Sequence, residues 1–156
     1  DFAMASNSVK RLSQIRQMIF AVIALSSLSL YYILDRHSIA FNPIWLSSKY
    51  KALRPYVIAQ SKFETGNYQS SLFKRANNAF GMRVPTQRES LRIGEDNNYS
   101  VYSNVGDSLQ DLMLYFEAVN FPLSVTDVED YAYQLEIRGY YTAPYQQYLK
   151  GLKSYG

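Results

Sequence analysis

The sequence predicts a mainly helical domain of the α+β class with a small β-hairpin lobe, preceded by an N-terminal transmembrane helix. Three observations carry this: an uncharged apolar run from Met18 to Leu34, helix-period apolar spacing over most of the remaining chain, and a turn-rich stretch, Pro85 to Asn98, next to strand-like segments. With 156 residues, 47% apolar and 19% charged, the chain is long enough for one core and too apolar for disorder.

Residues 1–17 form a basic segment containing Lys10, Arg11 and Arg16. Residues 18–34 follow without charge, Pro or Gly, and their length sits at the short end of what spans a bilayer. Tyr31 and Tyr32 suit an interfacial belt, and the basic flank predicts a cytoplasmic N-terminus with the globular part on the periplasmic or cell-wall side. The lipid bilayer is therefore an expected partner through residues 18–34. A signal peptide and a buried core helix are the competing readings; the first lacks a small-x-small cleavage site, and the second suits the marginal length. Residues 35–50, with the Asn42-Pro43 turn and the single tryptophan Trp45, read as a linker, and 51–156 as the domain.

Within the domain, Leu53 to Phe63 predicts a helix with Pro55 in its first turn and Gly66 beyond its end. A short helix at Ser71 to Arg75 leads to the Asn77-Asn78 loop, after which Phe80 to Val84 and Tyr99 to Tyr102 read as strands. Helical spacing resumes near Asp107 with Leu109, Leu112, Met113 and Phe116 on one face, and Phe121-Pro122 breaks it. Thr126 and Glu129 form a capping-box pattern opening a helix that stops at Gly139. A last helix begins near Thr142, with Tyr145, Tyr148, Leu149 and Leu152 on one face.

Composition narrows the chemistry. There is no cysteine and His37 is the only histidine, so disulfides, thiol catalysis, histidine triads and zinc sites are not expected, and neither a metal nor an organic cofactor is called for. Carboxylates, amides and the 15 tyrosines remain. The net charge of +3 is spread among acids rather than gathered in a stripe, which argues against nucleic acid as a partner.

Four segments resemble the glucosaminidase-type peptidoglycan hydrolases. Ile58 to Gly66, read as I-A-Q-S-K-F-E-T-G, is similar to that family's A-Q-x-x-x-E-[ST]-G helix end; Asn77 to Arg83 resembles N-N-x-F-G-[IM]-K, with Arg83 in place of Lys. Tyr102 to Leu109 resembles Y-x-[SD]-x-x-[ED]-S-[IL], and Tyr131-Ala132 through Thr142 resembles Y-A-x-x-L…G-Y-x-T. The Trp common after E-S-G is absent; Asn67-Tyr68 stands there. The resemblance covers about Tyr56 to Leu152 and implies a lysozyme-like fold that cleaves the β-1,4 bond after N-acetylglucosamine in peptidoglycan glycan strands.

On this reading Glu64 is the general acid. It ends an apolar helix, where the negative pole of the macrodipole and burial both favour the protonated carboxyl. Glu89, Glu95 and Asp96 are candidates for a second carboxylate in the lobe, Glu95 foremost; a base acting through water would stand about 6.5–9.5 Å from the acid and a nucleophile about 5–5.5 Å. Failing that, the substrate's own N-acetyl group can assist. Asn77 and Asn78 are read as amides for acetamido and hydroxyl groups, Phe80 as packing inward behind them, and Tyr131, Tyr102 and Tyr140 as substrate-binding tyrosines. Lytic transglycosylase or muramidase cleavage, in a bacterial or phage setting, is the alternative within the enzyme class; a non-catalytic peptidoglycan-binding membrane protein is the alternative outside it.

Overall fold

The computed structural model describes residues 18–19, 22–23, 39–47 and 49–156. The chain divides into two units, Asp1–Asp35 and Arg36–Gly156. In the first, Met18, Ile19, Val22 and Ile23 are helical and expose their apolar side chains. The rest of the expected 18–34 span lies outside the described residues, and no helix among the described residues is long and apolar enough to cross a membrane.

The second unit is mainly helical with one two-stranded antiparallel sheet. Its helices are α1 (Arg54–Glu64), α2 (Ser71–Ala76), α3 (Val105–Ala118), α4 (Val128–Glu136) and α5 (Tyr145–Lys153), with short 3-10 turns at Pro43–Leu46 and Lys51–Leu53. Strands β1 (Gly94–Asp96) and β2 (Tyr99–Val101) form a hairpin in the register Gly94↔Val101, Glu95↔Ser100, Asp96↔Tyr99. Asn97 and Asn98 both take positive φ in its turn, a conformation their short amide side chains tolerate.

Side chains end or begin most of the helices as their sequence suggests. The Ser70 hydroxyl accepts from Phe73 N ahead of α2, and Asn104 Oδ1 accepts from Asp107 N ahead of α3. At α4 the cap is Asp127 rather than Thr126: Asp127 Oδ1 accepts from Asp130 N, while Asp130 Oδ2 accepts from Thr126 N. A carboxylate at the positive helix pole is the stronger cap, and it moves the box along by one residue. Gly139, at φ +67, closes the α4 turn.

Helix α3 buries more residues than any other helix described: Val105, Ser108, Leu109, Asp111, Leu112, Met113 and Phe116. Leu53 and Val57, Phe80, Tyr131 and Leu135, and Leu152 complete the core from the surrounding elements. Ile39, Trp45 and Tyr50 belong to the same core, and the Trp45 indole donates to the Ile39 carbonyl at 2.5 Å. Thus part of the stretch read as linker packs as domain.

Phe80 to Val84, expected as a strand, is irregular, with a single bridge from Arg83 to Tyr99. The Asn78 side chain explains why: its Oδ1 accepts from Phe80 N and Met82 N, and its Nδ2 donates to Met82 O and Ser100 O. The Phe80 and Met82 N–H groups are thus taken by an amide, and Gly81 at φ +60 turns the chain out of the extended region. Pairing with the 98–100 segment is limited to Ser100 N on Met82 O and Val84 N on Asn98 O around the single bridge. The hairpin partner is instead Gly94–Asp96, inside the stretch read as turns.

Candidate active site

The site is built around the last residue of α1. Beyond it, Thr65 Oγ1 donates to Ser61 O and accepts from Tyr68 N, and three successive left-handed residues, Gly66, Asn67 and Tyr68, reverse the chain. The half-buried Glu64 side chain is thereby held at the helix C-terminus. Burial pushes its carboxyl above the ordinary value, partly offset by a hydrogen bond from the Tyr148 hydroxyl to Oε1 at 2.7 Å. Its second oxygen faces Gly81, where an added Cβ would stand 3.4 Å from Oε2.

Tyrosines form the wall. Tyr148 of α5 stacks on Tyr141, with centroids 3.7 Å apart and planes 7° apart, and meets Phe63 edge to face at 5.2 Å. Helix α5 packs this closely on α1 because residue 151 is glycine: a Cβ there would lie 2.2 Å from the Phe63 ring. Tyr131 of α4 is fully buried, stacks on Tyr56, and donates to Gln60 Oε1 at 2.6 Å, one helical turn before Glu64. Gln60 Nε2 is buried without a hydrogen-bond partner. The Tyr140 hydroxyl donates to Phe80 O at 2.6 Å and so pins the loop that brings Gly81 to Glu64. Burial, reinforced by the charge of Glu64, raises the hydroxyls of Tyr131, Tyr140 and Tyr148 well above the usual tyrosine range.

The residues singled out from sequence fall into three groups. Glu64, Tyr131 and Tyr140 share one electrostatic environment. Asn77, Asn78 and Phe80 build its loop: Asn77, at φ 50, ends α2 and donates to the carbonyls of Tyr102 and Ser103, the Asn78 amide is committed to backbone, and the Phe80 ring is in the core. Tyr102 is also buried, its hydroxyl donating to Asp111 Oδ2 at 2.7 Å. Glu95 stands exposed at the middle of β1, Glu89 is exposed on the preceding loop, and Asp96 pairs with Arg75 at 2.7 Å. Among the described residues, Tyr148 is the side chain hydrogen-bonded to Glu64, and no three His, Cys, Asp or Glu residues converge as a metal site.

Tyr148 is the contact that sequence reasoning placed only as packing. Its position on the apolar face of α5 held a signal, because a tyrosine buried there must find a partner for its hydroxyl. The identity of that partner, 84 residues away in the chain, depends on the docking of α5 against α1.

No curated protein and no solved structure matches the chain. A family model described as Glucosaminidase, mannosyl-glycoprotein endo-beta-N-acetylglucosaminidase, matches residues 44–155, spanning α1, the Asn78 loop, the hairpin and both tyrosine-bearing helices. The chain belongs to this glucosaminidase family.

Proposed function

We propose that the protein is a peptidoglycan hydrolase, an endo-β-N-acetylglucosaminidase of lysozyme-like fold, with Glu64 as general acid. The observation that carries this is a carboxyl that burial pushes above the ordinary carboxylate value at a helix C-terminus, within a tyrosine wall and in a family of glycan-cleaving enzymes. Glu64 delivers its proton to the glycosidic oxygen as the bond to the anomeric carbon breaks through an oxocarbenium-like state. The anomeric carbon is then captured by water, activated by Glu95 from the hairpin or preceded by internal attack of the substrate's acetamido oxygen. Among the described residues the side chain hydrogen-bonded to Glu64 is a tyrosine rather than a carboxylate, which suits the second route.

Glu64→Gln retains the shape of the acid without its proton, and at least a hundredfold loss of glycan cleavage is expected, roughly the contribution of general acid catalysis. Full activity in that variant rejects the reading. Glu95→Gln beside it decides the second step: retained activity supports acetamido assistance, and loss supports a carboxylate base. A lone acid also suits lytic transglycosylation, in which a substrate hydroxyl captures the anomeric carbon. Mass spectrometry separates the two, since hydrolysis by the proposed enzyme releases a reducing-end N-acetylglucosamine and transglycosylation a 1,6-anhydro sugar. We further propose that the apolar run 18–34 anchors the domain in a membrane on the wall side, as its composition and basic flank suggest.

A further inference from the structure

The geometry points to a division of labour between the two oxygens of Glu64: Tyr148 is a positioning residue that occupies Oε1, leaving Oε2, opposite Gly81, to carry and deliver the proton. This deepens the proposed function and rests on Glu64 being its acid.

Three observations support it. First, the Tyr148 hydroxyl donates to Oε1 at 2.7 Å, and that is the hydroxyl's hydrogen bond. A proton on Oε1 would force the hydroxyl to turn away, leaving a buried donor unpaired at about 1–3 kcal/mol. Protonation therefore falls on Oε2. Second, the Tyr148 ring cannot easily follow a moving carboxyl, because it is stacked on Tyr141 and braced by the Phe63 edge. The carboxyl is thus held in one rotation. Third, Oε2 faces the one residue of the loop without a side chain. At Gly81 even a methyl group would come to 3.4 Å from Oε2, taking space that an approaching glycosidic oxygen needs. Asn78 and Tyr140 hold this loop in place through the backbone of residues 80–82.

The titratable groups facing Glu64 from the packed elements are tyrosines: Tyr131 from α4, Tyr140 from the segment after it, and Tyr148 from α5. None is charged at neutral pH, so burial sets the carboxyl high and the Tyr148 bond is what moderates it. Removing that bond while keeping the ring must raise the acid further, because the hydrogen bond favours the ionised form.

The test is a carboxyl-carbon NMR titration of Glu64 in the whole chain, assigned by difference from Glu64→Gln, together with the pH profile of peptidoglycan cleavage. In Tyr148→Phe the Glu64 midpoint and the alkaline limb of the rate are expected to move up together, with kcat lower by about tenfold to a hundredfold and KM unchanged. Gly81→Ala is the second variant: its turnover is expected to fall at least tenfold while Glu64 still titrates as a raised acid. An unmoved Glu64 midpoint in Tyr148→Phe, or full turnover in Gly81→Ala, overturns the assignment. Absence of cleavage by the wild type would instead reject the proposed function, and the titration would still judge the Tyr148–Glu64 pair.

Discussion

Glu64 and Asp111 are carboxylates withdrawn from water within one domain, and the structure drives their protonation in opposite directions. Asp111 lies on α3 with its side chain fully buried, and burial alone would raise it. Bonds from Arg88 at 2.8 and 3.0 Å, the Tyr102 hydroxyl at 2.7 Å and Leu91 N at 3.0 Å overcome that, and its carboxyl lies below the ordinary value. Among the described residues Glu64 has one neutral donor and no cation shifting it, so burial wins and its carboxyl lies above the ordinary value. Burial does not by itself decide protonation; the donors supplied do. Asp111 ties the long loop before the hairpin to α3, a structural task for a permanent anion. Glu64 is left with one hydrogen-bond donor among the described residues, a condition that suits the proton-donor role proposed for it.

The largest expected effect on stability comes from giving Asp111 the poverty of Glu64. Arg88→Met leaves a buried carboxylate without its cation and is expected to cost about 3–5 kcal/mol by urea denaturation, while cleavage per folded molecule is retained. A variant as stable as wild type would break the contrast. Next comes the wall of the acid: Gly151→Ala drives a Cβ into the Phe63 ring, and overpacking of this kind costs about 1–3 kcal/mol with a fall in turnover as Tyr148 is displaced. Thermal melting and rate measurement together read both effects.

The smallest effect is in the pH dependence of stability, and it discriminates most sharply between the two carboxyls. Glu64 is raised from 4.5, so its contribution is fully present below pH 4.5 and is lost as pH rises through its folded value. Glu64→Gln should therefore gain on wild type as pH rises above 4.5. Asp111 is lowered from 3.8, so its contribution is present above pH 3.8 and is lost as pH falls through its folded value. Acid unfolding below pH 3.8 should be shallower in Asp111→Asn. Denaturation midpoints across this range check both signs, and parallel curves for all three proteins would refute them.

Much of the scaffold was readable in the chain because its signals are local. Pro55 within the first turn of α1, Gly139 closing α4 and the apolar face of α5 each act within a few residues. The errors arose where distant groups compete for the same backbone. Asn78 takes donors from Phe80 and Met82 and reduces to one bridge a strand that β-propensity favoured, while the partner strand, Gly94–Asp96, carries little strand character of its own. Arg88 and Asp111, 23 residues apart, gave no sign of being a pair.

The helical class, the hairpin's neighbourhood and the place of Glu64 at the end of an apolar helix are legible in the chain alone, since propensity, capping and periodicity are properties of neighbouring residues. Only packing sets which tyrosine meets that carboxyl, which oxygen faces Gly81, and why Asp111 lies below the ordinary carboxylate value while Glu64 lies above it. Those outcomes depend on burial and on donors brought from remote positions, and desolvation of a carboxyl is a property of the packed domain rather than of any segment of it.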